Sequence, residues 1–417
     1  NLLFEMTDDV GDLVIQDCYR QTESISITQL SGGSQLKEQL RFIHNLEKEG
    51  NLNRELEFIP TDDEISDRLA VSQGLTRPEL SVLIAYGKMM LKERFNIPEL
   101  TDNPYHRKLL VSAFPEVLQK RYAEQMEQHP LRSEIIATKL TNNLINDMGM
   151  NFVFRMQEET GATIDEIANA YCVVKGIFGM EGLWAEVEAL DNKVSAQTQL
   201  SMLESMRRTL RRASRWYLRH GVKSMGIQDA IDSYASTFAD LFKNLKDYLV
   251  EGEYKELEAN CARLKKDGVP EDIAYKVASL SNLFPCLDLA QIAKAEGRSI
   301  KLVASLYFRL GSRLELHWFL EQINNQTVSN HWQALARASY REELDWQQRA
   351  LAIVLLTGAP KSDDAEMILG TWMEHNQALL ERWYSMMSEF KTSSTHEFAK
   401  FSVALRELML LSINANA

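Results

Sequence analysis

Apolar residues recur every three or four positions along nearly the whole chain, a spacing that places them on one face of an α-helix. Leu80, Leu83, Ile84 and Tyr86 show this spacing in one such run. The alternation typical of a strand occurs only in residues 24–28 (SISIT), and helical spacing flanks it on both sides. We interpret this segment as helix, with an extended segment as the alternative. The sequence therefore predicts an all-α fold, a multi-helical array with no β-sheet core.

Helix start signals recur along the chain. In a capping box, a threonine is followed three residues later by a glutamate, and the two satisfy free N–H groups at the helix start. The chain has this pair at Thr61 and Glu64, at Thr76 and Glu79, and at Thr163 and Glu166. Prolines lie between the periodic runs, where they can begin or end a helix without breaking one, at Pro60, Pro98, Pro104, Pro115, Pro130, Pro270, Pro285 and Pro360.

The chain also contains two segments of similar sequence, which we call the internal echo. Residues 161–171 (GATIDEIANAY) align with residues 297–307 (GRSIKLVASLY) at an offset of 136 residues. Further on, Val194-Ser195 matches Val328-Ser329 and Arg207 matches Arg341, at an offset of 134. The glycine, the hydroxyl residue at the helix start and the apolar positions recur, so we predict a duplicated helical unit at about 130–220 and 269–356. The alternative is convergence of short helix–turn–helix words.

Composition restricts the class of protein. The chain has 417 residues, of which 45% are hydrophobic and 25% charged, and such a chain can bury a sizeable core. Its net charge of −13 disfavours nucleic-acid binding. The four cysteines form no CxxC pair, which argues against a disulfide framework or a zinc site and fits a reducing compartment. No apolar run is long enough to span a membrane. The chain begins at Asn1 without methionine, which suggests a part of a longer protein.

Glycine-rich motifs are the first candidates for a functional site. Residues 176–182 (GIFGMEG) and 31–34 (SGGS) follow no predicted strand and lack the G-x-G-x-x-G spacing of a dinucleotide site, so we interpret both as turns between helices. Residues 358–362 (GAPKS) end in Lys-Ser but lack the first glycine of a P-loop. The His396-Glu397 pair has no second histidine at the spacing of a zinc-protease helix. These words predict no cofactor, metal or catalytic residue in this chain.

Tyr171 and Lys175 have the Tyr-x-x-x-Lys spacing of short-chain dehydrogenases, in which the lysine lowers the pKa of the tyrosine. The second copy of the echo has Tyr307 but Gly311 at the position of the lysine. We therefore interpret Tyr171 as a core residue whose hydroxyl lies at a helix boundary.

The most unusual local charge pattern is a cluster of basic residues. A stretch of 17 residues without an acid contains Arg207, Arg208, Arg211, Arg212, Arg215, Arg219 and Lys223. On a helix, Arg208, Arg212, Arg215 and Arg219 form one stripe, opposite an apolar face of Leu203, Met206, Leu210, Ala213 and Tyr217. The stripe is a candidate anion site or interface, because arginine pairs bidentately with carboxylate or phosphate. The alternative is an ion-pair network within the chain.

Long words in the sequence resemble a known family. They are residues 6–10 (MTDDV), 75–88 (LTRPELSVLIAYGK), 132–162 (RSEIIATKLTNNLINDMGMNFVFRMQEETGA), 190–194 (LDNKV) and 331–351 (HWQALARASYREELDWQQRAL). In this order they resemble the large bacterial NAD-specific glutamate dehydrogenases, on the C-terminal side of the catalytic domain. The resemblance covers almost the whole chain.

The resemblance implies a function for the parent protein rather than for this segment. The family reaction is the oxidative deamination of L-glutamate to 2-oxoglutarate and ammonia with NAD, in the bacterial cytoplasm. The catalytic and NAD-binding residues are expected upstream of Asn1. We expect helices leading from the catalytic domain at 1–74, and helical subdomains at 75–225 and 226–417. The expected partners are the catalytic domain of the same chain and further copies of the enzyme, with a role in packing, assembly or regulation. The alternative is a free-standing helical interaction module.

Overall fold

The computed structural model describes residues 2–30, 32–221, 224–328, 330–358, 362–392 and 398–414, and within them every regular element is a helix. The all-α prediction is confirmed. The first twelve helices are α1 (Leu2–Leu30), α2 (Leu36–Lys48), α3 (Asp62–Ala70), α4 (Arg77–Phe95), α5 (Pro98–Thr101), α6 (Arg107–Val111), α7 (Glu116–Glu127), α8 (Arg132–Met148), α9 (Phe152–Thr160), α10 (Ile164–Ile177), α11 (Met180–Glu188) and α12 (Ala196–His220).

Ten helices follow: α13 (Ile227–Tyr248), α14 (Glu251–Lys266), α15 (Glu271–Leu283), α16 (Cys286–Glu296), α17 (Ile300–Arg313), α18 (Leu316–Asn324), α19 (His331–Gly358), α20 (Ala365–His375), α21 (Gln377–Thr392) and α22 (Phe398–Asn414). Short 3-10 helices lie at Gly32–Gln35 and Pro104–His106. None of the described helices is both long and apolar enough to cross a lipid bilayer.

The predicted start signals lie at helix starts. Thr61, Thr76 and Thr163 each precede a helix, and each forms a complete capping box with the glutamate three residues later. In α4, for example, the carboxylate of Glu79 accepts a hydrogen bond from the N–H of Thr76 at 2.7 Å. Residues 24–28 lie inside α1, so their interpretation as helix is confirmed. Of the listed prolines, Pro360 lies outside the described residues, and the others are in loops or at helix starts.

The chain forms two compact units. The first consists of Asn1–Asp232 and Lys266–Leu280, and the second of Ser233–Lys265 and Ser281–Ala417. The first unit thus includes both the predicted N-terminal helices and the segment 75–225. The predicted boundaries at 75 and 226 stay a prediction.

In the first unit, α8 and α12 lie at the centre. Helix α8 contacts α1, α4 and α6, and α12 contacts α1, α9, α10 and α11. Apolar side chains at helical spacing supply the core, including Leu140 and Leu144 of α8 and Leu203 and Leu210 of α12, which are at most 1% exposed. Burial of such a side chain contributes about 1.5–3 kcal/mol.

The two halves of α1 differ in their surroundings. Its C-terminal half packs on α4, α8 and α12, and Ile27 there is fully buried. In its N-terminal half, Leu13 is half-buried, while Phe4 and Ile15 are 77% and 68% exposed. The helix is therefore anchored at one end and open to solvent at the other.

In the second unit, α17 contacts α16, α18, α19 and α20, and α22 packs on α19 and α21. An aromatic cluster of Phe319, Trp383, Phe390 and Phe401 fills the space between α18, α21 and α22, with ring centroids 5.0 Å apart for Phe390 and Phe401. The indole N–H of Trp383 donates to the carbonyl of Leu314 at 3.1 Å, so the ring is buried without an unsatisfied donor.

The segments of the internal echo have similar helix bounds. Helices α10 and α17 both have 14 residues, and α11 and α18 both have nine. Gly161 and Gly297 both follow a helix in the left-handed conformation, with φ of 69° and 60°. Tyr171 and Tyr307 are both buried. Ser329 lies outside the described residues, and the duplication itself stays a prediction.

Candidate functional site

A buried aspartate lies at the end of α8. The apolar residues Ile136, Leu140 and Leu144 direct one face of α8 into the core, and Asp147 follows them at helical spacing in the last turn, with no exposed surface. A carboxylate is unfavourable at this position for two reasons. Burial removes its hydration, and the C-terminal end of a helix carries partial negative charge. Asp147 therefore requires cationic neighbours.

Three side chains from other helices bind the carboxylate of Asp147. Arg20 of α1 donates to Oδ1 at 2.6 Å, and Lys175 and Tyr171 of α10 donate to Oδ2 at 2.8 and 2.5 Å. Burial by itself raises the pKa of Asp147, but the charges of Lys175 and Arg20 outweigh it and hold the pKa below its usual range. The aspartate is therefore ionised at neutral pH and ties α1 and α10 to α8.

A fourth partner binds the main chain beside this carboxylate. Arg207 of α12 is buried, and it donates from Nε to the carbonyl of Asp147 at 2.7 Å and from Nη2 to the carbonyl of Asn146 at 3.0 Å. The last carbonyls of a helix have no partner within the helix, so the guanidinium both satisfies them and compensates the negative end of the dipole. We name Asp147, Arg20, Tyr171, Lys175 and Arg207 the Asp147 cluster.

The Tyr171–Lys175 pair is part of this cluster. Lys175 Nζ lies 3.2 Å from the Tyr171 hydroxyl. Burial, together with the charge of Asp147 and the hydrogen bond to it, raises the pKa of Tyr171 well above its ordinary value. Proton transfer in a dehydrogenase requires the opposite shift, because the tyrosine must lose its proton near neutral pH. The geometry therefore favours a core tyrosine whose hydroxyl donates to the end of α8.

Two further acids lie beside the Asp147 cluster. Glu188 lies 3.4 Å from Arg20 Nε, and Glu23 accepts a hydrogen bond from the indole of Trp184 at 3.0 Å. Burial raises the pKa of Glu23 from 4.5 to about 7 despite this hydrogen bond. Glu23 is thus the acid of this region whose charge changes near neutral pH.

The predicted arginine stripe lies on α12, and its four members have different surroundings. Arg208 is exposed and Arg212 is half-buried, whereas Arg215 is buried and forms an ion pair with Glu159 of α9. Arg219 donates to the main-chain carbonyl of Glu159 at 2.8 Å. Two of the four arginines therefore bind one residue of the same chain.

The apolar face opposite the stripe is buried as predicted, with Leu203, Met206, Leu210 and Ala213 fully covered and Tyr217 6% exposed. Lys223 lies outside the described residues. An anion or interface role of the stripe stays a prediction, and Arg208 and Arg219 are its exposed members.

The glycine-rich words lie in turns or helices. Gly176 is in the last turns of α10, Gly179 precedes α11 with φ of 58°, and Gly182 lies inside α11. Gly32 and Gly33 are in a 3-10 helix. Residues 359–361, His396 and Glu397 lie outside the described residues. Over the described part of the chain, no three His, Cys, Asp or Glu side chains are grouped closely enough to hold a metal ion.

A surface cleft of about 470 Å³ lies in the second unit, with Arg309, Arg313, Glu366 and Tyr384 among its lining residues. Both arginines donate to Glu366, at 2.8 and 2.7 Å, and all three side chains are about half exposed. Exposed pairs of this kind contribute little energy and are easily rearranged. A fourth charged residue of the lining, Glu315, is half-buried and forms an ion pair with Lys391.

Comparison with known proteins decides the family. The family model described as glutamate dehydrogenase, C-terminal, matches residues 72–410. The chain belongs to this family. The resemblance to NAD-specific glutamate dehydrogenases that the sequence motifs indicated is confirmed.

Curated relatives extend the match to almost the whole chain. Over 412 residues and 99% of this chain, it is 38% identical to the NAD-specific glutamate dehydrogenase of Pseudomonas aeruginosa. The enzymes of the same name from Halomonas elongata and Mycobacterium tuberculosis are 38% and 28% identical over 99% and 98% of this chain. The chain spans about a quarter of the length of each of these relatives, since it covers 25% of them.

The sequence analysis did not select the Asp147 cluster. Asp147 lies within the family word 132–162, but its partners Arg20 and Arg207 are 127 and 60 residues away. The available signal was an aspartate on the apolar face of α8, where a charge requires a partner.

Proposed function

We propose that this chain is the helical C-terminal region of an NAD-specific glutamate dehydrogenase and that it contains no catalytic residue. The parent reaction is the conversion of L-glutamate, NAD and water to 2-oxoglutarate, ammonia and NADH. The observation that carries the proposal is the 38% identity over 99% of this chain to two enzymes of that name. The role of the region is domain packing, subunit assembly or regulation, in an enzyme of the bacterial cytoplasm. The four cysteines are free, which supports a reducing compartment.

The chemistry of the Asp147 cluster supports the absence of catalysis here. Both carboxylate oxygens of Asp147 accept hydrogen bonds from side chains of the same unit, and the phenol of Tyr171 keeps its proton because its pKa is raised. A general acid or base has a pKa near the working pH and a free position for substrate. The cluster is better suited to fixing the positions of α1, α8, α10 and α12.

Tyr171→Phe in the full-length enzyme tests the proposal. This change removes the hydroxyl that binds Asp147 and leaves the ring. We expect kcat to remain within about twofold of the unmodified enzyme, with a lower thermal midpoint. Tyr86→Phe is the matched control, because its hydroxyl binds Glu57 at the surface at 2.7 Å. A loss of kcat of about 100-fold, with unchanged oligomer size and thermal midpoint, contradicts the proposal.

The isolated chain provides a second test. We expect it to be almost wholly helical without cofactor, to lack glutamate oxidation and to bind no NAD. Circular dichroism and titration calorimetry measure these properties. Substantial sheet content, or stoichiometric NAD binding, contradicts the expectation.

A further inference from the structure

The N-terminal half of α1 has an open face without charge. The face consists of Phe4, Val10, Gly11, Val14, Ile15 and Cys18, with the uncharged Thr7 among them, and these residues recur at the spacing of one side of a helix and are all exposed. The exposed fractions of Phe4, Ile15 and Val14 are 77%, 68% and 56%. Single exposed apolar side chains are ordinary, but a continuous face over four turns marks an interaction surface.

Acidic residues border this face on both sides. Asp8 and Asp12 are exposed on the flank next to Ile15, and on the flank next to Val10 Asp17 is exposed, with its carboxylate 4.0 Å from Lys139 of α8. The opposite side of the helix is less exposed, because Leu13 there is half-buried, and α1 also contacts α7. A complementary surface therefore has an apolar centre and lysine or arginine at its rim.

We propose that this face docks against the part of the same polypeptide that lies N-terminal to this region in the parent enzyme. The inference rests on the proposed function. The relatives are about four times as long as the matched part, since this chain covers 25% of them, and the family is that of the C-terminal part. The remaining polypeptide is then tethered at the end of α1 where Phe4 lies. A tether of this kind raises the effective concentration of the partner surface without any further contact.

Cys18 provides a direct measurement on the full-length enzyme. It lies at the C-terminal end of the face and is exposed in this chain, so a covered face is expected to slow its reaction with a maleimide. The control is the thiol introduced by Val71→Cys, at a position that is 71% exposed in the same unit. After each rate is divided by the rate in denaturant, we expect Cys18 to react at least about tenfold more slowly than the control thiol.

Enzyme concentration separates the possible occupants of the face. Docking within one polypeptide predicts slow labelling of Cys18 at every concentration. Slow labelling only where the enzyme is associated overturns the proposal in favour of a second copy. Labelling as fast as that of the control thiol, in an enzyme that remains active, also overturns it. That result leaves the proposed function intact, which depends on the Tyr171→Phe test.

Ile15→Glu is the complementary variant. A carboxylate within the apolar contact, at its edge beside Asp8 and Asp12, is expected to raise the labelling rate of Cys18 toward that of the denatured enzyme. Val71→Glu introduces the same charge at a comparably exposed position and is expected to leave the rate unchanged. An unchanged rate with Ile15→Glu, alongside slow labelling of the unmodified enzyme, places the protecting contact elsewhere and overturns the assignment of this face.

Discussion

Arg207 of α12 donates a hydrogen bond from Nε to the main-chain carbonyl of Asp147, 2.7 Å away, while the side chain of Asp147 binds Arg20 and Lys175. One residue thus accepts hydrogen bonds from three cations on three helices. Such an arrangement need not exceed an apolar core in stability, but removal of one partner leaves a buried charge uncompensated. The cluster therefore fixes how these helices pack, and single changes in it are expected to be costly.

Asp147→Asn tests that cost. The change keeps the shape of the side chain but removes the charge that compensates Arg20 and Lys175. We expect the free energy of unfolding to fall by about 3 kcal/mol. Urea denaturation measures it, with the exposed Asp67→Asn of α3 as the control, for which we expect a change within about 0.5 kcal/mol. Equal effects of the two changes would show that the cluster contributes nothing special to stability.

The raised pKa of Glu23 predicts that the stability of the folded chain depends on pH. Burial raises its pKa from 4.5 to about 7 in the folded chain. The folded state therefore binds a proton more tightly than the unfolded state, and stability is lost as the pH rises from about 4.5 to about 7. Glu23→Gln stays neutral and retains an acceptor for Trp184. We expect its stability relative to the unmodified protein to rise by about 1–3 kcal/mol between pH 5 and pH 8. Urea midpoints at several pH values measure this, and a constant difference contradicts the raised pKa.

Variants of Arg215 and Arg208 distinguish an ion-pair role of the stripe within the chain from a role at the surface. Arg215→Met removes one of the cations that neutralise the buried Glu159, so we expect a loss of about 2 kcal/mol. Arg208→Met changes an exposed side chain and is expected to alter stability by less than about 0.5 kcal/mol. Thermal or urea unfolding of both variants makes the comparison.

Arg208, one of the exposed members of the stripe, also tests the interface hypothesis. If the stripe contacts another domain or subunit, Arg208→Glu in the full-length enzyme lowers activity or oligomer size without affecting the folding of this region. Unchanged activity and size leave Arg208 on a solvated helix face.

Gly161 and Gly297 offer a test of the internal echo. Both have positive φ, so an alanine at either position is strained, at a cost of about 1–2 kcal/mol. Similar losses for Gly161→Ala and Gly297→Ala are expected if the two turns are equivalent. Gly182→Ala is the control, because Gly182 lies inside α11 with no atom near the added methyl group, and we expect a gain of about 0.5–1 kcal/mol. Superposition of residues 130–220 on residues 269–356 in a crystal structure then tests the duplication directly.

Local signals predicted the helices well. The capping boxes at Thr61, Thr76 and Thr163 depend on residues three positions apart, so they can be recognised in the sequence and lie at helix starts in the structure. The brief alternation in residues 24–28 did not form a strand, because the flanking residues continue a helix whose C-terminal half is buried. Long-range packing did not change these local preferences.

Contacts between distant residues were not predictable. The arginine stripe contains no acid within its own 17 residues, and its partner Glu159 lies on another helix. Arg20 reaches Asp147 across 127 residues. Helical periodicity indicates which side of a helix is buried, but it does not indicate which helix covers it. The Asp147 cluster depends on which helices pack together, so periodicity alone could not predict it.

During synthesis on the ribosome, Asp147 is added to the chain before its partner Arg207. Arg207 is 60 residues downstream, so at about 5–20 residues per second it is added about 3–12 s after Asp147. During that interval the last turn of α8 lacks the guanidinium that satisfies its carbonyls. The first unit also includes Lys266–Leu280, which is made after part of the second unit. The nascent chain therefore completes its first compact unit only after part of the second unit has been made.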